Sequence, residues 1–135
     1  YDEKDERFPL NDEIIVRLTA KITDFIESDD YPAGYLVFTK SGKTAFSLSS
    51  FRPNLPIFAF TDTQIISQKM ILGFNIQSYQ IDFGREETVE ETIRHAIATL
   101  KNKHKVKPSD KLIILSGDNI GVKGGTNNIR ITEVS

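Results

Sequence analysis

One short segment of the chain combines the residue types that bind a phosphate group. It lies between an apolar run and a predicted helix, and it consists of Thr39, Lys40, Ser41, Gly42, Lys43 and Thr44. Backbone amides at a helix start, hydroxyl groups and lysine ammonium groups all donate hydrogen bonds to anionic oxygens. In open α/β sheets, ligands also bind at the carboxyl ends of the strands. The segment is therefore either a phosphate-binding loop or a polar turn in which glycine serves only the backbone geometry.

The end of this segment, Gly42-Lys43-Thr44, resembles the end of the phosphate-binding motif GxxxxGK[ST] of nucleotide triphosphatases. That motif requires its first glycine at position 37, where this chain has Val37. The sequence therefore argues against a nucleotide triphosphatase.

A glycine-rich segment near the end of the chain is a second candidate for ligand binding. Positions 117–127 contain four glycines and Lys123. Glycine permits unusual backbone angles and lets the backbone approach a ligand closely. The same composition is typical of a long flexible hairpin loop, and the segment alone does not decide between the two.

Five apolar runs must position these two segments. The runs at 34–39, 56–61 and 76–83 are short and rich in strand-forming residues, which indicates strands buried on both faces. Two further strands are predicted at 111–115 and 129–134, on either side of the glycine-rich segment.

Amphipathic stretches between the apolar runs predict helices. Thr88-x-x-Glu91 and Thr61-x-x-Gln64 have the spacing of capping boxes, in which a hydroxyl accepts from a backbone amide of the first helical turn. The predicted helices cover 12–27, 43–50, 64–72 and 89–103.

The alternation of strands and helices predicts a three-layer α/β fold with a mostly parallel five-stranded sheet. The last two strands are joined by a segment too short for a crossover helix, so the final strand should be an antiparallel edge strand. We expect residues 1–11, which are mostly charged, to be a lead-in or linker, and residues 12–135 to form this one domain. Because the chain begins with Tyr1 and not with Met, we expect it to be part of a longer protein.

Composition argues against several classes of partner. The net charge of −2 and the pI of about 5.7 provide no basic excess for a nucleic acid, and no apolar run approaches the roughly 18 residues of a membrane helix. The chain has no cysteine, so disulfides and thiolate zinc sites are excluded, in keeping with a cytoplasmic location. The sequence spacing implies no carboxylate partner for His95 or His104. We therefore expect neither histidine to bind a metal or to act in catalysis.

Three motifs in a fixed order resemble the C-terminal domain of pyruvate kinases, over nearly the whole of residues 12–134. They are Thr39-Lys40-Ser41-Gly42-Lys43-Thr44-Ala45, then Phe51-Arg52-Pro53-x-x-Pro56-Ile57-x-Ala59-x-Thr61, and finally Gly117-x-x-x-Gly121-x-x-Gly124-x-Thr126-Asn127.

The resemblance implies that the first loop binds a phosphate of a sugar-phosphate effector, commonly fructose bisphosphate. It implies that the last loop closes over that effector, with the residues Asn119, Gly121, Lys123, Gly124 and Gly125. Fructose-bisphosphate-responsive members often add a tryptophan and an arginine. This chain has no tryptophan, and Arg85 is the candidate for the arginine.

The resemblance also implies a longer enzyme that transfers a phosphoryl group from phosphoenolpyruvate to ADP. Its magnesium and potassium ions belong to a catalytic barrel, which needs roughly 250 residues. This chain should therefore hold no cofactor and no catalytic residue; its partners should be the barrel, the effector and further copies of itself. One alternative is a stand-alone phosphosugar-binding or interaction module. Another is a small α/β hydrolase, for which no nucleophile with a nearby base is found.

Overall fold

Strands and helices alternate along the chain as the sequence predicts. The structure is a computed structural model that describes residues 12–26, 31–83, 88–116 and 128–135. The strands are β1 (Gly34–Phe38), β2 (Ile57–Thr61), β3 (Ile76–Gln80), β4 (Lys111–Ser116) and β5 (Asn128–Glu133). The helices are α1 (Asp12–Ile22), α2 (Lys43–Ser50), α3 (Gln64–Met70) and α4 (Val89–Asn102).

The strands form one sheet in the order β3-β2-β1-β4-β5. β1 lies in the centre, where Tyr35 pairs with Ile57 of β2 on one side and with Ile113 of β4 on the other. The first four strands are parallel because a helix returns the chain to the same edge of the sheet after each of the first three. β5 is antiparallel to β4. The predicted three-layer α/β fold with an antiparallel edge strand is confirmed.

Each face of the sheet is covered by helical structure, so the inner strands β1, β2 and β4 are buried on both sides. Successive strand side chains point to opposite faces. Accordingly Tyr35 and Val37 pack on the side of α1, α2 and α3, whereas Leu36 and Phe38 pack on the side of α4. This arrangement explains why β1, β2 and β4 are mostly apolar, whereas the edge strands β3 and β5 contain polar residues as well.

The first helix is shorter than the sequence predicts. α1 ends at Ile22 and continues as a single 3₁₀ turn, Thr23–Phe25. The hydroxyl of Thr23 donates to the carbonyl of Ala20 at 3.0 Å, a side-chain bond that competes with regular helix geometry. Phe25 has the spacing of the apolar face of the helix predicted at 12–27, but it is 85% exposed.

Thr61 does not cap α3, so this prediction is wrong. Thr61 is the last residue of β2, and its carbonyl accepts from the amide of Ile81 at 2.8 Å. The cap is Thr63, whose hydroxyl accepts from the amide of Ile66. In the described parts of the chain, no helix combines the length and the apolar composition that crossing a bilayer requires.

The capping prediction for α4 is confirmed, and it provides a matched test of stability. The Thr88 hydroxyl accepts from the amide of Glu91 at 3.1 Å. We expect Thr88→Ala to lower the free energy of unfolding by about 1 kcal/mol, because an amide of the first turn loses its acceptor. Urea denaturation measures the change.

The control is Thr99→Ala in the middle of the same helix. The Thr99 hydroxyl donates to the carbonyl of His95, which already has a helical partner, and alanine favours helix more than threonine. Thr99→Ala should leave stability unchanged or raise it by a few tenths of a kcal/mol. Equal losses in both variants would contradict the capping role of Thr88.

Candidate phosphate-binding site

The segment Thr39–Thr44, called the β1–α2 loop below, lies at the carboxyl end of the central strand. β2 and β3 lie on one side of β1, and β4 and β5 lie on the other, so the strand order reverses between β1 and β4. In open α/β sheets the crevice beside such a reversal is where ligands bind. The fold therefore places this loop at the position expected for a ligand site.

Gly42 is required for the turn from β1 into α2. Its φ angle is 85°, a left-handed conformation that side-chain-bearing residues rarely adopt. A Cβ atom there would lie 3.2 Å from the ring of Phe46 and 3.4 Å from Cγ of Met70. The carbonyl of Gly42 accepts from the amide of Phe46 at 2.9 Å, so the helix begins directly at this turn.

Two hydroxyl groups hold the loop in this shape. Thr39 is 7% exposed, and its hydroxyl accepts from the amide of Gly42 at 2.9 Å. The hydroxyl of Ser41 lies 3.3 Å from the amide of Lys43. The amide of Gly42 is therefore engaged within the loop, and a ligand has to use donors further along the first turn of α2.

Burial divides the six candidate residues into two groups. Thr39, Gly42 and Thr44 are buried, with Thr44 only 3% exposed. Lys40 and Lys43 are exposed and Ser41 is half-buried. The buried residues shape the loop. The exposed and half-buried residues form the surface that a ligand can contact.

The two lysines of the loop differ in their surroundings. The ammonium of Lys40 lies 2.8 Å from Oδ2 of Asp62, the residue that follows β2. The Lys40 side chain is 42% exposed and that of Asp62 is 19% exposed. Lys43, by contrast, is the first residue of α2, where the helix dipole favours an anion. Its exposed position makes Lys43 the cation that is best placed for a phosphate.

Asp62 is a part of the site that the sequence reasoning missed. Together with Gln80, Ile81 and Asp82 it lines an open cleft at the carboxyl edge of β2 and β3. Oδ1 of Asp62 and Oγ1 of Thr61 are buried and have no hydrogen-bond partner. The available signal was the position of Asp62 directly after the second apolar run, at the same edge of the sheet as the β1–α2 loop.

The second predicted part of the site cannot be placed next to the first. Asn119, Gly121, Lys123, Gly124, Gly125 and Arg85 lie outside the described residues. β4, which precedes this loop, runs beside β1 with Leu115 paired to Val37. Within the described ranges, no group of three or more His, Asp or Glu side chains could hold a metal ion.

Comparison with known proteins identifies the family. The sequence model of the family described as "Pyruvate kinase, alpha/beta domain" matches residues 32–132. The pyruvate kinase of Agrobacterium vitis is 27% identical over 100 residues, which cover 74% of this chain and 20% of that protein. Plastidial pyruvate kinase 2 of Arabidopsis thaliana is 34% identical over 101 residues, which cover 73% of this chain and 17% of that protein.

A solved pyruvate kinase from Cryptosporidium parvum has the same fold. It superimposes with a TM-score of 0.74 at 20% identity, over 96% of this chain and 24% of that one. The α/β fold of this chain is thus one that occurs as part of pyruvate kinases. The chain belongs to the pyruvate kinase alpha/beta domain family. It spans only about a fifth of the length of the curated relatives that it matches.

The left-handed turn at Gly42 leads to a test of loop stability. We expect Gly42→Ala to lower the free energy of unfolding by about 1–2 kcal/mol, because alanine is strained at this φ angle and its Cβ crowds Phe46. Urea denaturation measures the loss. Lys43→Ala, one residue along, is the control. It makes no conformational demand at an exposed position and should change stability by less than about 0.5 kcal/mol. A Gly42→Ala variant as stable as the control would show that the turn adapts freely.

Proposed function

We propose that this chain is the effector-binding domain of a pyruvate kinase, and that its β1–α2 loop binds a phosphate of a phosphorylated sugar such as fructose bisphosphate. The observation that carries the proposal is the left-handed turn at Gly42, which puts Lys43 at the start of α2. The position of the loop beside the strand reversal and the family membership of the chain support the proposal.

Three kinds of donor would act on the phosphate together. The amides of the first turn of a helix have no intrahelical partners, and the dipole of α2 favours negative charge at this end. The ammonium of Lys43 supplies a full positive charge. The Ser41 hydroxyl, now 3.3 Å from the Lys43 amide, can rotate to donate to a phosphate oxygen instead.

The proposal assigns the chain a regulatory role in a longer protein. Phosphoryl transfer from phosphoenolpyruvate to ADP, with its magnesium and potassium ions, would belong to a catalytic barrel outside this chain. Allosteric coupling needs two sites and two states of the whole protein, and this chain would supply the effector site. The protein would act in the cytoplasm, and the chain alone should not catalyse the reaction.

Self-association would take place through β5, the edge strand. A free strand edge offers unpaired backbone groups to a second copy. Ile131 of this strand is 53% exposed, which supports an apolar contact at the same edge.

The alternative is a stand-alone phosphosugar-binding or interaction module. Both versions rest on the same loop, so binding experiments do not separate them. A barrel encoded in the same polypeptide would favour the first version, and a gene that encodes this domain alone would favour the second.

Lys43→Ala tests the proposed site directly. The variant should bind fructose bisphosphate about tenfold more weakly than the parent chain, because a charge-assisted hydrogen bond contributes roughly 1.5 kcal/mol or more. Isothermal titration calorimetry measures the affinity.

Lys105→Ala provides the matched control for that experiment. Lys105 is an equally exposed lysine that follows α4, close to the amino edge of the sheet. Its replacement should leave the affinity unchanged. If the chain binds none of fructose bisphosphate, other sugar phosphates or AMP, the proposed function is wrong. If Lys43→Ala binds as tightly as the parent, the effector site lies elsewhere.

Asp62→Asn tests how the ion pair with Lys40 affects phosphate binding. Removing the carboxylate charge frees the Lys40 ammonium and lowers the repulsion of an incoming anion. We expect affinity to rise about two- to fivefold, since exposed ion pairs contribute roughly 0.2–1 kcal/mol. The gain should shrink at high salt, because salt screens exposed charges.

The control is Asp110→Asn, which removes a carboxylate paired with Lys107 far from the loop. It should not change the affinity. Weaker binding by Asp62→Asn would instead show that Asp62 holds Lys40 in the geometry that the ligand needs.

A further inference from the structure

A second cavity lies at the opposite edge of the sheet from the β1–α2 loop. It has a volume of about 400 Å³ and is enclosed by α1, the end of α2 and the segment that leads into β2. Tyr35, the second residue of β1, and Leu55 are the buried residues of its wall. Thr39, the residue directly after β1, is about 13 Å from Tyr35 along the strand. The cavity therefore shares no residue with the candidate phosphate site.

Basic side chains outnumber acidic ones in the described part of this cavity's wall. Among the described residues that line it, Arg17, Lys21 and Arg52 are cationic and Asp24 is the one acidic residue. The chain as a whole has a net charge of −2, so this local excess is not a reflection of composition. Arg17 and Lys21 lie four residues apart on one face of α1, where like charges destabilise a helix by a few tenths of a kcal/mol. Such a concentration of cations is suited to an anionic ligand.

Arg52 is held in place on the far side of the cavity. Its guanidinium lies over the ring of Phe74, 4.1 Å from the ring centroid. Its φ angle is 51°, which is uncommon for a residue with a side chain, and its amide donates to the carbonyl of Ser49 at 2.9 Å. Backbone strain of this kind is often found at ligand sites, where a fixed cation binds without a large loss of side-chain entropy.

Two aromatic rings are exposed in the same cavity. Tyr31 is 44% exposed and Phe51 is 49% exposed. Exposed rings gain contact area and stacking when a flat apolar group covers them. Burial raises the pKa of the Tyr35 phenol in the wall, so this group is neutral at physiological pH and adds no negative charge. Its hydroxyl lies 3.3 Å from Oγ1 of Thr23.

We infer that this cavity is a second ligand site, for a small organic anion that carries a flat ring. The acidic group of the ligand pairs with Arg17, Lys21 and Arg52, and its ring packs against Tyr31 and Phe51. A volume of about 400 Å³ is at the lower end for small-molecule sites and suits one ring with one acidic group. The site is independent of the proposed effector loop and stands even if that proposal fails.

Phenyl phosphate is a suitable probe because it combines the two chemical features. Inorganic phosphate supplies the charge alone and phenol supplies the ring alone. Amide chemical shifts in two-dimensional NMR report the two sites separately, through Lys21 and Leu55 for the cavity and through Ser41 and Lys43 for the loop. We expect phenyl phosphate to bind in the cavity at least about tenfold more tightly than either partial probe, because charge and ring contacts act together. At the loop, phosphate and phenyl phosphate should bind alike.

A double variant tests the cations of the cavity. Arg17→Gln combined with Lys21→Gln should weaken phenyl phosphate binding in the cavity about tenfold, since two exposed charge contacts are lost. The fold should persist, because both side chains are exposed. The control, Lys103→Gln with Lys105→Gln, removes the same charge at the end of α4 and should have no effect in the cavity. Lys43→Ala should weaken binding at the loop only.

Three results would overturn the inference. Phenyl phosphate could perturb the loop amides and leave those of the cavity unchanged. It could bind in the cavity no more tightly than phosphate or phenol. The folded double variant could bind it as tightly as the parent chain does.

Discussion

Burial of the central strand on both faces is the constraint on which the rest of this structure depends. Every residue of β1 is buried, and the strand has a parallel partner on each side. Its side chains alternate between two separate cores, so no residue of β1 can shift by one position without exchanging the two sets of contacts. The register of β1 thereby fixes both of its ends, and each end opens into a candidate ligand site.

At the carboxyl end of β1, two hydrogen bonds of Thr39 connect the strand to the β1–α2 loop. The amide of Thr39 donates to the carbonyl of Phe60 in the neighbouring strand, and its hydroxyl accepts from Gly42. The position of Gly42 in turn determines where α2 begins. The backbone of Lys43 is therefore placed at the start of α2 by the strand register and the loop, although its side chain is exposed.

Local patterns predicted most of the fold. The apolar runs indicated the strands to within a few residues, and the Thr88 cap was readable because donor and acceptor are three residues apart. The cap of α3 was assigned to Thr61 in error, because sequence spacing does not show where β2 stops. Two hydroxyl residues, Thr61 and Thr63, both precede that helix. The one still engaged in the sheet cannot serve as its cap.

The sites themselves were predictable only where one segment supplies all the residues. The β1–α2 loop is contiguous, and its residue types are by themselves those that bind phosphate. Asp62 reaches Lys40 only because β1 and β2 are adjacent and parallel, a pairing with a separation of 22 residues in sequence. The cavity at the other edge was invisible for the same reason: Lys21, Tyr35 and Arg52 come from three elements.

The charges at the two edges show why net charge is a poor guide to anion binding in this domain. At the carboxyl edge a lysine of the loop is already paired with Asp62, so the local field is weaker than the number of lysines suggests. At the amino edge, the described residues that line the cavity include three cations and one carboxylate. A chain with a net charge of −2 can thus present exposed cations at two edges of its sheet, because screening limits each group of charges to its own surroundings of about 8–10 Å. The distance of about 13 Å along β1 is larger than this screening length, so each edge can bind its own anion without repelling the other.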